Sequence, residues 1–137
     1  MWWWYALLSA AFAALTAVLA KVGIKGVNSD LATAIRTVVI VVVAWGIVLA
    51  RDQPIDLLHL SPRTWVFLGL SGVATGLSWI FYFKALQLGK VSQVAPVDKL
   101  SVAIAIGLSV LFLGETLTLK VALGAALIIG GTLVLIL

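Results

Sequence analysis

Five long apolar stretches separated by short polar links dominate the pattern of the chain. They cover residues 2–20, 31–50, 64–83, 94–113 and 119–137, with charged side chains such as Lys21, Arg51 and Lys84 at their edges. A bilayer core about 30 Å thick needs roughly 20 apolar residues of helix, at about 1.5 Å per residue. The stretches lack the alternation of barrel strands, and only helices or closed barrels satisfy the backbone in lipid. The pattern therefore predicts an all-α integral membrane protein: one domain, residues 1–137, with five transmembrane helices.

Composition supports a lipid environment. Hydrophobic residues make up 64% of the chain and charged residues 10%, whereas soluble domains carry roughly 45–50% and about 25%. A soluble domain of this size cannot bury such an excess, and a disordered chain needs low hydrophobicity. The chain has no cysteine, which excludes disulfides and thiolate metal ligands. We expect no metal and no cofactor, and we expect lipid and a small molecule, not nucleic acid, as partners.

Two segments, one at the start of the first apolar stretch and one between the second and third, carry specific expectations. Residues 2–5 are three tryptophans and a tyrosine, which favour the headgroup level and indicate an anchored helix that is retained, not a cleaved signal peptide. The longest polar link runs over residues 52–63. Its apolar positions between Pro54 and Pro62 predict a short helix lying in the membrane interface; they are Ile55, Leu57, Leu58 and Leu60.

Five spans place the two termini on opposite sides of the membrane. The loops on the N-terminal side contain three basic residues, Arg51, Arg63 and Lys120. The loops on the other side contain four, which are Lys21, Lys25, Lys84 and Lys90. Orientation follows the loop excess of Lys and Arg. An excess of four basic residues over three is too small to fix the orientation. We therefore expect insertion in both orientations, or a slight preference for an external N-terminus.

Ionisable residues inside the predicted spans are the candidate solute or coupling sites, because such residues are costly in lipid. Arg36 lies early in the second span, where it either faces protein or snorkels to the headgroups. Asp98 and Lys99 follow Pro96, which suits a first helical turn. Neighbours in a helix point about 100° apart, so we expect that this pair does not neutralise itself.

The same charges suggest the kind of solute. Lys21, Arg36 and Lys99 all fall toward one side of the membrane, with few carboxylates near them in the sequence. If they converge on one cavity, its positive field favours an anionic or phosphate-bearing solute. Trp79 could line such a cavity. Glu115, next to the start of the fifth span, is better explained as a carboxylate at a helix N-terminus facing water.

Small residues predict where helices pack closely. Gly72 and Gly76 form a GxxxG pair, and Ala126 with Gly130, extended by Gly131, forms a similar face on the fifth span. Such faces let helices approach in lipid. We therefore predict that Ala126, Gly130 and Gly131 form a dimer seam.

One string suggests an enzyme. Residues 69–72 read GLSG, which matches the GxSG string of rhomboid intramembrane proteases. A serine nucleophile needs a base, and the chain's one histidine, His59, precedes the same predicted helix. We therefore do not expect an enzyme, and we assign no catalytic residues.

Several segments together resemble a known family. They are AIRT at 34–37, ALQLGKVS at 85–92, APVDKLS at 95–101, LFLGE at 111–115 and GAALIIGG at 124–131. The chain resembles one EamA-type half of the drug/metabolite transporter superfamily, especially its five-helix bacterial and archaeal members. The resemblance runs essentially end to end and is most specific over residues 69–131.

The resemblance implies a prokaryotic inner-membrane carrier of small metabolites that works by alternating access. Most of the superfamily has ten helices in two halves of opposite orientation, with the site at the repeat interface. A single half implies an antiparallel homodimer or a paralogue partner. The plan is also similar to the small multidrug-resistance transporters, but their first-helix carboxylate is absent here. The alternative is a non-transporting membrane subunit or assembly protein that reuses the fold.

Overall fold

The chain folds into α-helices in the computed structural model, which describes residues 1–51 and 55–137. The helices are α1 (Trp2–Gly23), α2 (Ser29–Ala50), α3 (Pro62–Leu88), α4 (Val91–Asp98), α5 (Leu100–Leu113) and α6 (Leu119–Ile136). α4 and α5 together form one apolar stretch, Val91–Leu113, so the described residues contain five stretches long and apolar enough to cross a membrane. This confirms the prediction of an all-helical protein with five candidate spans.

Several helices extend beyond the apolar stretches that predicted them. α3 contains 27 residues and continues past Lys84 to Leu88, and the fourth span begins at Val91, three residues before the predicted start. Hydropathy detects the part of a helix that lies in lipid, whereas backbone hydrogen bonding continues through polar residues until a breaker intervenes. Gly89 follows the end of α3.

Local capping explains several helix ends. The Asn28 side chain accepts hydrogen bonds from the backbone N–H groups of Asp30 (2.8 Å) and Leu31 (3.3 Å) at the start of α2. The hydroxyl of Thr118 accepts from Val121 N–H at the start of α6. Gly114 ends α5 in the left-handed conformation, with φ of 68°, which glycine adopts without steric cost.

The predicted interfacial helix is reduced to one short turn. A 3-10 helix covers Leu57–His59, and Pro54 and the side chain of Leu58 lie outside the described residues. Around it is an apolar cavity of about 440 Å³. Its lining residues come from α2 and the link: Ala44, Trp45, Val48, Ile55, Asp56, Leu57 and Leu60.

The chain divides into two compact units, residues 1–19 with 88–137, and residues 20–87. In the first unit, α4, α5 and α6 pack on one another, and Thr132 of α6 is buried. In the second unit, the buried side chains lie near the start of α2 and the end of α3; they are Ile24, Ser29, Thr33, Phe83 and Leu86. Most other apolar side chains are exposed, as expected where lipid is the solvent.

Candidate functional site

An arginine stacked on an aromatic cluster forms the first candidate site. The guanidinium carbon of Arg36 in α2 lies 3.5 Å from the centroid of the Trp79 ring and 5.4 Å from that of Phe83. Trp79 and Phe83 stand four residues apart on α3, so they share a face of that helix. Trp79 also makes edge-to-face contacts with Tyr82 at 5.5 Å and Phe83 at 5.6 Å. The structure therefore brings together two predicted site residues, Arg36 and Trp79.

The chemistry of this arrangement follows from the difference between the planar face of a guanidinium and its N–H edge. Its planar face rests on the negative face of the indole, a cation–π contact. Its N–H donors point outward in the plane, where they suit a carboxylate or phosphate. Among residues 1–51 and 55–137, Asp56 pairs with His59 and Asp98 pairs with Lys99, and no carboxylate there pairs with Arg36.

Lys21 and Gln87 tie the end of α1 and the α1–α2 link to the end of α3. The Lys21 ammonium donates a hydrogen bond to the carbonyl oxygen of Leu86. The Gln87 side-chain N–H₂ donates to the carbonyl oxygens of Ile24 (3.3 Å) and Val27 (2.6 Å). A lysine on a terminal carbonyl stabilises a helix C-terminus. Lys21 thus has a structural partner, and its predicted role toward a solute stays a prediction.

A break in the fourth span holds the second candidate site. α4 ends at Asp98 and α5 begins at Leu100, with Lys99 between them. The expectation that Pro96 lies in a first helical turn is wrong, because the helix begins at Val91 and Pro96 lies in its interior. A proline there removes the backbone hydrogen bond to the Ser92 carbonyl, and the helix continues past it to Asp98.

The break changes the geometry of the charged pair. The ammonium of Lys99 lies 3.3 Å from the Asp98 carboxylate, so the expectation that the two side chains cannot neutralise each other is wrong. That expectation assumed a continuous helix with about 100° between neighbours. Lys99 instead lies at a junction where its N–H bonds to the Pro96 carbonyl (3.0 Å) and its own carbonyl accepts from Val102 (3.0 Å). These tighter turns allow the two side chains to meet.

The predicted convergence of charges stays a prediction. Arg36 and Lys21 belong to the unit of residues 20–87 and contact α3 at different residues, Arg36 at Trp79 and Lys21 at Leu86. Asp98 and Lys99 belong to the other unit.

The predicted dimer-packing residues lie on the surface. Ala126, Gly130 and Gly131 are all exposed, and a Cβ added at either glycine would meet nothing within 4 Å. The same holds for Gly72 and Gly76. These small residues are therefore available for packing, and their predicted place in a dimer seam stays a prediction.

Sequence reasoning did not single out Gln87 or Thr132. The Thr132 hydroxyl lies 2.8 Å from the carbonyl oxygen of Ile128 in its own helix, α6. It also lies 3.2 Å from the carbonyl oxygen of Pro96 in α4. Both are ordinary polar residues at helical positions. They differ from other polar residues only because they donate hydrogen bonds to carbonyls of another segment. The local sequence does not show which segments lie opposite each other.

Comparison with known proteins identifies the family. The model of the EamA-like transporter family matches residues 1–137. This chain belongs to the EamA-like transporter family. Over 134 residues it is 56% identical to a Sinorhizobium sp. protein named "Uncharacterized transporter in cobO 3'region", covering 98% of this chain and 95% of that protein. The family and this relative support a transporter and not an enzyme.

This EamA-family protein was also compared with an archaeal protein and with solved structures. It is 41% identical over 66 residues to an uncharacterized protein of Methanocaldococcus jannaschii, with 48% of each chain covered. No solved structure matches the chain. The EamA assignment confirms the resemblance found in the sequence, and with the five apolar stretches it makes the chain an integral membrane protein.

Proposed function

We propose that this EamA-family protein carries a small anionic metabolite across the prokaryotic inner membrane by alternating access. Its working unit is an antiparallel homodimer, with a paralogue of opposite orientation as the alternative partner. Arg36 with Trp79 is one proposed contact for the solute, and Asp98 with Lys99 is another. Lys21 is a further candidate residue.

The observation that carries this proposal is the stacked Arg36. A cation within a transmembrane helix is costly, by about 2.5–3.5 kcal/mol at the helix centre and less toward the ends. The Trp79 ring, 3.5 Å away, offsets part of that cost without using the N–H donors. Charge-assisted bidentate bonds from those donors favour a carboxylate or phosphate. A permanent carboxylate partner would remove this capacity, and the described residues place none beside Arg36.

The broken fourth span supports a second contact with the solute. Transporters commonly place their sites where a membrane helix is interrupted, because the interruption exposes backbone dipoles and charges near the bilayer midplane. Lys99 lies at the junction of α4 and α5 and provides a cation. Asp98, 3.3 Å from the Lys99 ammonium, balances that cation when the site is empty, and it is the candidate for proton exchange.

Dimerisation supplies the second half that alternating access requires. Carriers of this kind are built from inverted repeats, and one half has an odd number of spans. Two copies in opposite orientations reproduce the inverted repeat. The exposed face of Ala126, Gly130 and Gly131 is the proposed seam, since small residues allow close helix contact in lipid.

Transport and binding assays with charged probes test the proposal. Purified protein in liposomes is assayed for counterflow of succinate, inorganic phosphate and choline, and the melting temperature in detergent is measured with each. We expect an anion, and not choline, to be transported and to raise the melting temperature. Arg36→Lys and Arg36→Gln should both lose transport, because neither presents the planar fork.

The matched control is Arg63→Gln. Arg63 is also an arginine near a ring, but it is exposed and lies 5.7 Å from the Phe67 centroid. Full transport by Arg36→Gln would remove Arg36 from the site. Anion binding without transport by the unsubstituted protein would instead favour a non-transporting membrane subunit.

A further inference from the structure

Thr132 is the one buried polar side chain in the described part of α6. Its exposed fraction is 4%, although Gly130 and Gly131 beside it are exposed. Its hydroxyl therefore faces the protein and not lipid. The groups it meets are the carbonyls of Ile128, one turn earlier in α6, and Pro96 in α4.

Pro96 lies three residues before the break in the fourth span at Lys99. A continuous helix would pair the Pro96 carbonyl with the N–H four residues later, that of Leu100, where α5 begins. Instead the carbonyl accepts from the N–H of Lys99 at 3.0 Å and lies 3.2 Å from the Thr132 hydroxyl. In lipid, threonine side chains of neighbouring helices can satisfy backbone groups left without a partner where a helix breaks.

The Thr132 hydroxyl has one proton and two acceptors, so it can donate fully to only one of them at a time. Other threonines donate to the carbonyl four residues earlier, as Thr75 does to Ser71 at 2.9 Å. A hydrogen bond to the Ile128 carbonyl stays within α6. A hydrogen bond to the Pro96 carbonyl instead links α6 to the end of α4, next to the break at Lys99. Two residues after Pro96 come Asp98 and then Lys99.

We infer that Thr132 is a positioning residue for the site, because its hydroxyl holds the Pro96 carbonyl and thereby sets how the break presents Asp98 and Lys99. This inference rests on the proposed function for its consequence in transport. The hydrogen bond itself is testable without any solute.

The structural test compares Thr132→Val, which keeps the shape and loses the hydroxyl, with Thr132→Ser, which keeps the hydroxyl. The readouts are amide hydrogen exchange of residues 97–102 and the maleimide labelling rate of a Ser101→Cys variant, since the chain has no other cysteine. We expect Thr132→Val to raise both by about threefold to tenfold, as for a lost interhelical bond. Thr132→Ser should restore values near those of the unsubstituted protein.

Thr75→Val is the matched control, because Thr75 is exposed and bonds within its own helix. It should leave residues 97–102 unchanged. Unchanged exchange in Thr132→Val, or an equal defect in Thr132→Ser, would overturn the inference. If Thr132→Val fails to insert, Thr132→Ala is compared with Thr132→Ser by the same two readouts, and equal values for the two variants would overturn the inference as well.

The functional test measures counterflow of succinate and inorganic phosphate in the same variants. Thr132→Val should reduce transport of the carried anion about tenfold or more, and Thr132→Ser should restore it. Altered exchange with normal transport would show that the bond does not position the site. If the unsubstituted protein carries neither anion, the proposed function is in doubt, while the exchange and labelling results still decide whether Thr132 holds the break.

Discussion

The stacking of Arg36 on Trp79 predicts a measurable coupling energy between the two side chains. A cation over an aromatic face contributes about 0.5–1 kcal/mol when exposed and about 2 kcal/mol or more when desolvated. The 3.5 Å separation is close contact, and Arg36 is partly buried. We therefore expect a coupling of about 1–2 kcal/mol, with Phe83 contributing less because its centroid is 5.4 Å away.

A double-mutant cycle isolates this coupling from the other effects of each substitution. The variants are Arg36→Gln, Trp79→Leu and the double substitution, and the measurement is the free energy of unfolding by SDS in mixed micelles. The control cycle uses Arg63→Gln and Phe67→Leu, whose contact is exposed and 5.7 Å long. We expect the control coupling to stay below about 0.5 kcal/mol.

The comparison of the two cycles decides whether the Trp79 ring stabilises the Arg36 cation. A coupling for Arg36 and Trp79 equal to that of the control pair would refute the view that the ring offsets the cost of a cation in the membrane. A large coupling would support an arginine held in place before any solute arrives. The remaining cost of binding would then be smaller, because the donor is already oriented.

Further predictions concern the break, the dimer and the α1–α2 link. Asp98→Asn and Lys99→Gln should each abolish counterflow while the protein still inserts and dimerises; normal transport by both would show that the pair only anchors the helix junction. C-terminal reporter fusions should be active on both sides of the membrane, and activity on one side would exclude dual topology. Gly130→Leu should weaken dimer cross-linking, and an unchanged pattern would place the seam elsewhere. Gln87→Leu should lower the melting temperature by about 3–5 °C, since two carbonyls lose their donor; a similar loss in Gln93→Leu, at an exposed position of α4, would show that the effect is nonspecific.

Most of the fold was predictable because lipid imposes a simple requirement on sequence. An uninterrupted apolar stretch of about 20 residues must be helical to satisfy its backbone in lipid, so the five spans follow directly from hydropathy. The helix ends did not follow, because Lys84 and Gln87 are polar and yet remain in α3. Hydropathy reports the surroundings of a helix, whereas its end depends on residues such as Gly89.

The candidate site was predictable only as a set of residues. The cost of charge in lipid singles out Arg36, Asp98 and Lys99 from sequence alone. Their partners depend on tertiary contacts, so the stacking of Arg36 on Trp79 became visible only in the structure. The pairing of Asp98 with Lys99 was predicted wrongly, because the prediction assumed a continuous helix, whereas the fourth span breaks at Lys99.

The structure holds Arg36 and Lys99 in different ways, and the difference bears on how the proposed carrier couples its solute. Arg36 rests on an uncharged ring, so an anion can approach it without displacing anything from the described residues. Lys99 is neutralised by Asp98, so an anion that binds Lys99 must compete with that carboxylate. Once displaced, Asp98 needs another neutralising partner inside the membrane, because an unpaired charge there is costly. A proton is the smallest such partner, and its uptake with the anion would couple solute movement to the proton gradient.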